Sequence, residues 1–150
     1  MYKQILVPLE EGRYPQRSLD HARKLAAQLG ANLVLLQVIT VLPAGHEFDR
    51  RLQIEEGSRA ARIKAAAEAE LGQLKQDLRA QVVEASTAIV ISEEPVAQAI
   101  VSYAEAHQCD LIVMPNQERS GISRWLFGSV GEKARRRSSV PVLFVPETHE

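Results

Sequence analysis

The chain has 150 residues, with 18 Lys+Arg against 19 Asp+Glu, a formal net charge of −1, 45% hydrophobic residues and one cysteine. This balance describes one folded domain, taken as residues 1–150, and excludes a disordered chain, a disulfide scaffold and a nucleic-acid binder held by a basic surface. No apolar run approaches the ~20 residues of a membrane helix, and the opening MYKQILVPLEEG is not a secretory signal, so the expected location is cytoplasmic.

Five apolar runs follow one another along the chain: Ile5 to Val7, Leu33 to Leu36 continuing to Val38-Ile39, Ala88 to Ile91, Leu111 to Met114, and Val142 to Val145. They are continuous rather than alternating, which predicts strands buried on both faces, as in a parallel sheet. Helical patterns lie between them. Leu19, Ala22, Ala26 and Leu29 recur at steps of three and four, and Gly30 then suits a left-handed cap. From about Glu47 to Arg79, Ile63, Ala67, Leu71, Leu74 and Leu78 share one face opposite a charged one. Gly57-Ser58 is a candidate interruption near the start of that helix, and Pro43 to Arg51 is the expected mobile loop. A third helix opens at Ser92-Glu93-Glu94-Pro95, with a capping hydroxyl, two acids at the positive helix end and proline in the first turn. A fourth begins near Gly128-Ser129, where Ser129 and Glu132 fit a capping box.

Strands alternating with helices and ending on a strand predict an α/β fold: a single doubly wound, open parallel sheet of five strands. Such sheets bind ligands beyond the C-terminal ends of their strands. The loop after the first strand, Pro8 to Gly12, and the loop after the fourth, Pro115 to Phe127, are therefore the candidate site. The second leads into Gly128-Ser129, where exposed amides at a helix start suit an anion or phosphate. A serine there equally serves as an ordinary helix cap.

The pieces KQILVPLEEG, LGANLVLLQVI and CDLIVMPNQERSGISRWLFGSVGEKARRRSSVPVLFVP together resemble the universal stress protein family, from about Tyr2 to Pro146. The resemblance implies a flavodoxin/Rossmann-like sheet of order 3-2-1-4-5, of the adenine nucleotide alpha hydrolase-like type. It also implies a homodimer and a role in tolerance to stress or growth arrest. One branch of the family binds ATP through a Gly-x2-Gly-x9-Gly-Ser/Thr motif and another lacks it. Here the three glycine positions fall on Pro115, Glu118 and Gly128, with Ser129 following, so two of the three glycines are absent. The carboxylate after the first strand is Glu10 rather than Asp, and the adenine-side position falls on Val38. On this mapping Pro8, Leu9, Glu10, Val38, Met114, Pro115, Arg119, Gly128, Ser129 and Val130 are the candidate nucleotide- or anion-binding residues.

Pro115 has no N–H and a fixed φ, so it neither donates to a phosphate nor lets the backbone approach as glycine does. Glu118 adds bulk and negative charge; two like charges at about 4 Å repel by about 4 kcal/mol at an effective dielectric of 20. Arg119 and Arg124 offset part of this or hold another anion. These departures predict weak or absent ATP binding.

Other conspicuous residues have plainer readings. Cys109 has no basic neighbour to lower its pKa and reads as a small buried hydrophobe. His21, His46, His107 and His149 lack metal-ligand spacing, so no metal site is expected. No nucleophile elbow is present. Lys133 to Arg137 reads as a solvated face complementing a helix end, and Trp125-Leu126-Phe127 as packing under a helix start, with a lid or partner contact as the alternative. The last strand, Val142, Leu143, Phe144 and Val145, should form a sheet edge that a second subunit covers by pairing with it.

The sequence thus predicts a stress-response protein acting as a dimeric interaction or regulatory module rather than an enzyme. A regulatory protein is a candidate partner, while membrane and nucleic acid are not. The alternatives are an ATP/AMP-binding module using Gly128-Ser129, and a slow nucleotide hydrolase with Glu10 as its only candidate base. ATP is the candidate cofactor, disfavoured by the altered loop.

Overall fold

The computed structural model describes residues 2–10, 14–41, 50–115 and 139–146. In chain order the elements are β1 (Gln4–Leu9), α1 (Gln16–Leu29), β2 (Asn32–Thr40), α2 (Arg50–Ala80), β3 (Ala85–Ser92), α3 (Val96–Ala106), β4 (Leu111–Pro115) and β5 (Val142–Val145). The expected fourth helix lies outside the described residues. The strands form one five-stranded sheet of order β3-β2-β1-β4-β5. All the pairings are parallel, with Ile5 opposite Leu33 and Leu111, Leu35 opposite Thr87, and Met114 opposite Phe144.

Side-chain alternation sorts the core into two layers. On one face Ile5, Val7, Leu33, Leu35, Leu111 and Val113 pack with Leu19, Ala22 and Ala26 of α1 and Leu71 and Leu78 of α2. On the other, Leu6, Val34, Leu36, Ile112 and Met114 pack with Ala97, Ile100 and Ala104 of α3. The central strands β1, β2 and β4 are buried on both faces, as continuous apolar runs require. β3 and β5 depart from that expectation, because each has a neighbour on one side only within the sheet: Ser86, Thr87 and Ile91 are exposed, and Val142, Leu143 and Phe144 half-buried. β3 also starts three residues before its apolar run, at Ala85. Leu29, expected on the buried face of α1, is exposed at the helix end.

α2 is a continuous helix of 31 residues, about 46 Å long at ~1.5 Å per residue. It begins at Arg50, so the expected loop does not extend through Arg51, and Gly57-Ser58 does not interrupt it. Arg59 bridges that region by donating to the Glu56 carboxylate at 2.7 Å, one turn back, and to the Thr40 carbonyl at 2.8 Å. The second bond marks where α2 passes the end of the sheet. Ile54, 69% exposed, belongs to turns projecting beyond it.

The opening of α3 also differs from expectation. Ser92 is the last residue of β3, and its hydroxyl accepts from the Glu94 N–H at 2.9 Å, closing a local turn. Pro95 occupies the cap position, and no side chain caps the helix. The hydroxyl lies too early in the chain and turns the backbone instead.

Candidate functional site

From β1 the chain winds outward through α1, β2, α2 and β3 on one side, then returns past β1 to β4 and β5 on the other. β1 and β4 are adjacent but lead away in opposite directions, which leaves a crevice beyond their C-terminal ends. Six of the expected site residues are placed at or next to this edge.

Pro8, Val38 and Met114 come from three adjacent strands and fall on the α3 face. Met114 is fully buried, Val38 is half-buried, and both join the core cluster of Ala97 and Ile100. Pro8 pairs with Leu36 of that layer and follows Leu6 by two residues, so strand alternation puts it on the same side. The three present an apolar wall in which Val38 keeps some accessible surface. Leu9 and Pro115 alternate to the opposite face. Leu9 is 2% exposed and packs in the α1–α2 layer, so a ligand in the crevice meets its backbone rather than its side chain. Glu10 is half-buried at the strand exit.

Prolines at 8 and 115 give the two switch-point strands an unusual chemistry. Pro8 removes a donor from a central strand near its end. Pro115 is the last residue of β4 and buried, at the first glycine position of the ATP motif. The strand end therefore offers a phosphate no N–H at that residue. Arg119, Gly128, Ser129 and Val130 lie outside the described residues, as do Glu118, Arg124, Trp125 to Phe127 and Lys133 to Arg137.

Two residues near this end carry no motif signal. Gln37, opposite Leu9 and Ile89, is 2% exposed, and its Oε1 has no hydrogen-bond partner among the described residues. Its one trace in the sequence is a polar residue within an otherwise apolar strand. Arg59 reaches the end of β2 from α2 through a contact across 19 positions, which no local pattern reveals. Among the described residues no group of three His, Cys, Asp or Glu is placed to hold a metal.

Cys109 lies at the other end of the sheet, just before β4. It is 4% exposed, and burial pushes its thiol pKa up against a weak opposing contact from the Gln4 amide at 3.6 Å. A raised pKa keeps the thiol protonated and unreactive. Next to it, the Asp110 carboxylate accepts from the backbone N–H groups of Lys3 and Gln4 at 2.8 and 3.1 Å, fastening the start of β1 to the start of β4.

A parallel sheet of this order, with helices on both faces and a crevice at the β1–β4 reversal, defines a doubly wound α/β protein. Within that class the chain belongs to the universal stress protein family, whose model matches residues 1–146. It is 30% identical to universal stress protein MJ0531 of Methanocaldococcus jannaschii, over 97% of this chain and 82% of that protein. Its fold matches that of universal stress protein UspA from Lactobacillus plantarum with a TM-score of 0.74 at 21% identity, covering 96% of this chain and 97% of that one. Two further structures of the family hold adenine mononucleotides. The Archaeoglobus fulgidus protein in complex with dAMP has a TM-score of 0.60 at 20% identity, covering 95% of this chain and 97% of its own. A universal stress protein in complex with cAMP has a TM-score of 0.59 at 21% identity, covering 98% of each chain. No helix among the described residues is long and apolar enough to cross a membrane.

Proposed function

We propose that this chain serves the stress response as an adenine-mononucleotide-binding module, a reading that departs from the weak or absent binding expected from the altered glycine motif. The apolar wall of Pro8, Val38 and Met114 at the switch point carries it. Val38, half-buried two residues beyond the Pro8–Leu36 pair, offers accessible apolar surface to the flat face of adenine, which needs dispersion contact more than hydrogen bonds. Structures of the family with dAMP and cAMP support the class of ligand. A monophosphate asks for one anion site, which Gly128-Ser129 retains in the sequence. A triphosphate also asks for the positions that are now Pro115 and Glu118. The altered loop thus selects against the longer phosphate chain rather than against nucleotides as such.

AMP titrated by calorimetry should bind saturably, and Val38→Asp, which puts a charge against the base, should weaken it at least tenfold. Absence of AMP binding at millimolar concentration would favour the alternative of an interaction module without a nucleotide, to which Pro115 at the end of β4 points. The reading is of binding rather than catalysis, because Glu10 is the single base candidate carried from the sequence.

The second part of the proposal is a homodimer through β5. Val142, Leu143 and Phe144 are half-buried on the terminal strand of the sheet, and an apolar edge invites pairing. The chain should elute as a dimer at tens of micromolar, and a monomer at high micromolar concentration contradicts this assignment.

A further inference from the structure

The end of the sheet opposite the crevice holds a concavity of about 200 Å³, lined by Gln4, Asn32, Lys75, Arg79, Glu84, Ala85 and Ser86. We propose that this cleft is a second binding site, specific for a small oxyanion such as a phosphate or carboxylate group. It is separate from the nucleotide crevice by the length of β2, nine residues or about 30 Å at ~3.3 Å per residue.

Several features converge on that chemistry. Lys75 and Arg79 are four residues apart on α2 and so share a face, which here looks across the starting ends of β1, β2 and β3. Arg79 has a counter-ion, but a loose one: Glu84 lies 3.8 Å away, and the two side chains are 54% and 74% exposed. Such an exposed pair is worth little and opens readily. Lys75 is half-buried in the cleft and pairs with no carboxylate among the described residues. The cleft therefore carries two cations against one carboxylate. The nearby Asp110 is turned to the Lys3 and Gln4 amides and is not part of the lining.

Asn32 and Ser86 also line the cleft and are exposed at the starting ends of their strands; their side chains alternate away from the layer of Leu33 and Ala85, so the two cations of α2 set the charge of the cleft. The local backbone is already satisfied, since Asn32 N–H donates to Lys3 and Leu33 N–H to Glu84. Recognition thus falls to side chains, above all Lys75 and Arg79, in a space with room for an oxyanion and several waters. Arg79, in the last turn of α2, also complements the helix dipole; Lys75, a full turn earlier, is not needed for that and faces the cleft.

The test is a titration of the protein with inorganic phosphate, followed by amide NMR shifts, against sodium chloride at matched ionic strength. Saturable shifts at Asn32, Glu84 and Ser86 are expected, whether or not Leu9 and Met114 at the ends of β1 and β4 respond to the same anion in the crevice. Lys75→Gln with Arg79→Gln should weaken binding at least tenfold. Glu84→Gln, which removes the internal competitor, should strengthen it about threefold. Shifts that rise linearly, that chloride reproduces, or that survive the double substitution would overturn the proposal, as would weaker binding in Glu84→Gln. Shifts confined to Leu9 and Met114 would assign the phosphate to the nucleotide crevice and overturn it too.

Discussion

Gln37 and Cys109 are both buried in apolar surroundings, yet only one of them is at ease there. A thiol accepts burial by staying protonated, whereas an amide oxygen without a donor costs about 1–3 kcal/mol of lost hydration. Gln37→Leu keeps the volume and matches the neighbouring Leu9 and Ile89. It should raise stability by about 1 kcal/mol, read as a higher denaturant midpoint. A loss of stability would show instead that a donor outside the described residues holds the amide. The two residues also differ in how legible they were. Cys109 could be read as an inert hydrophobe from its neighbours in the chain. Gln37 was absorbed into the run LVLLQVI, because its cost arises from what lies across the strands and not beside it.

At the scale of elements, the three described helices end alike. Gly30, Val82 and Gln108 all have positive φ, of 65°, 63° and 58°. In each case the following N–H bonds back five residues, Ala31 to Ala26, Val83 to Leu78 and Cys109 to Ala104. This is the left-handed cap that glycine fits best. The sequence announced it only at Gly30, since valine and glutamine carry no such signal. A β-branched residue in that conformation is strained by roughly 1–2 kcal/mol. Val82 is 91% exposed, so its side chain contributes little packing in return. Val82→Gly should therefore stabilise the protein by about 1 kcal/mol, while Gly30→Ala, placing a Cβ at the same kind of φ, should cost about as much. Thermal unfolding of the two variants checks the pair, and shifts of the same sign would contradict the account. Strand positions were legible because burial on both faces leaves an apolar run. Their ends were not, since in β3 the buried Ala85 is followed by the exposed Ser86 and Thr87, which pattern as a loop.

For the whole molecule, one buried thiol and two half-buried phenols contribute to the response to alkaline pH. Burial raises the pKa of Cys109, of Tyr103 and of Tyr14, the last helped by its 2.6 Å hydrogen bond to Glu70. The ordinary values are 9.0 for the thiol and 10.0 for the phenols. As pH rises through that range the unfolded chain releases protons that the folded chain keeps. The stability these groups support is thus complete below about pH 9 and declines above it. Asp20 and Glu56 act in the opposite direction: hydrogen bonds from Arg23 and from Arg59 lower their pKa values, and that contribution fades in acid. Urea midpoints at pH 7 and 8 should agree and the midpoint at pH 10.5 should be lower, and a flat profile would contradict the burial argument. The overall topology, unlike these balances, was open to the sequence through the order of its runs and the family motif.

In the proposed function, Pro115 and Glu118 change which nucleotide fits and do not abolish binding. Calorimetric titration with AMP and with magnesium ATP tests it directly. The account predicts that AMP binds at least tenfold more tightly than ATP, a gap of about 1.4 kcal/mol, and that Pro115→Gly with Glu118→Gly narrows the gap by strengthening ATP alone. ATP binding as tightly as AMP in the unaltered protein, or no gain in the double variant, would contradict it.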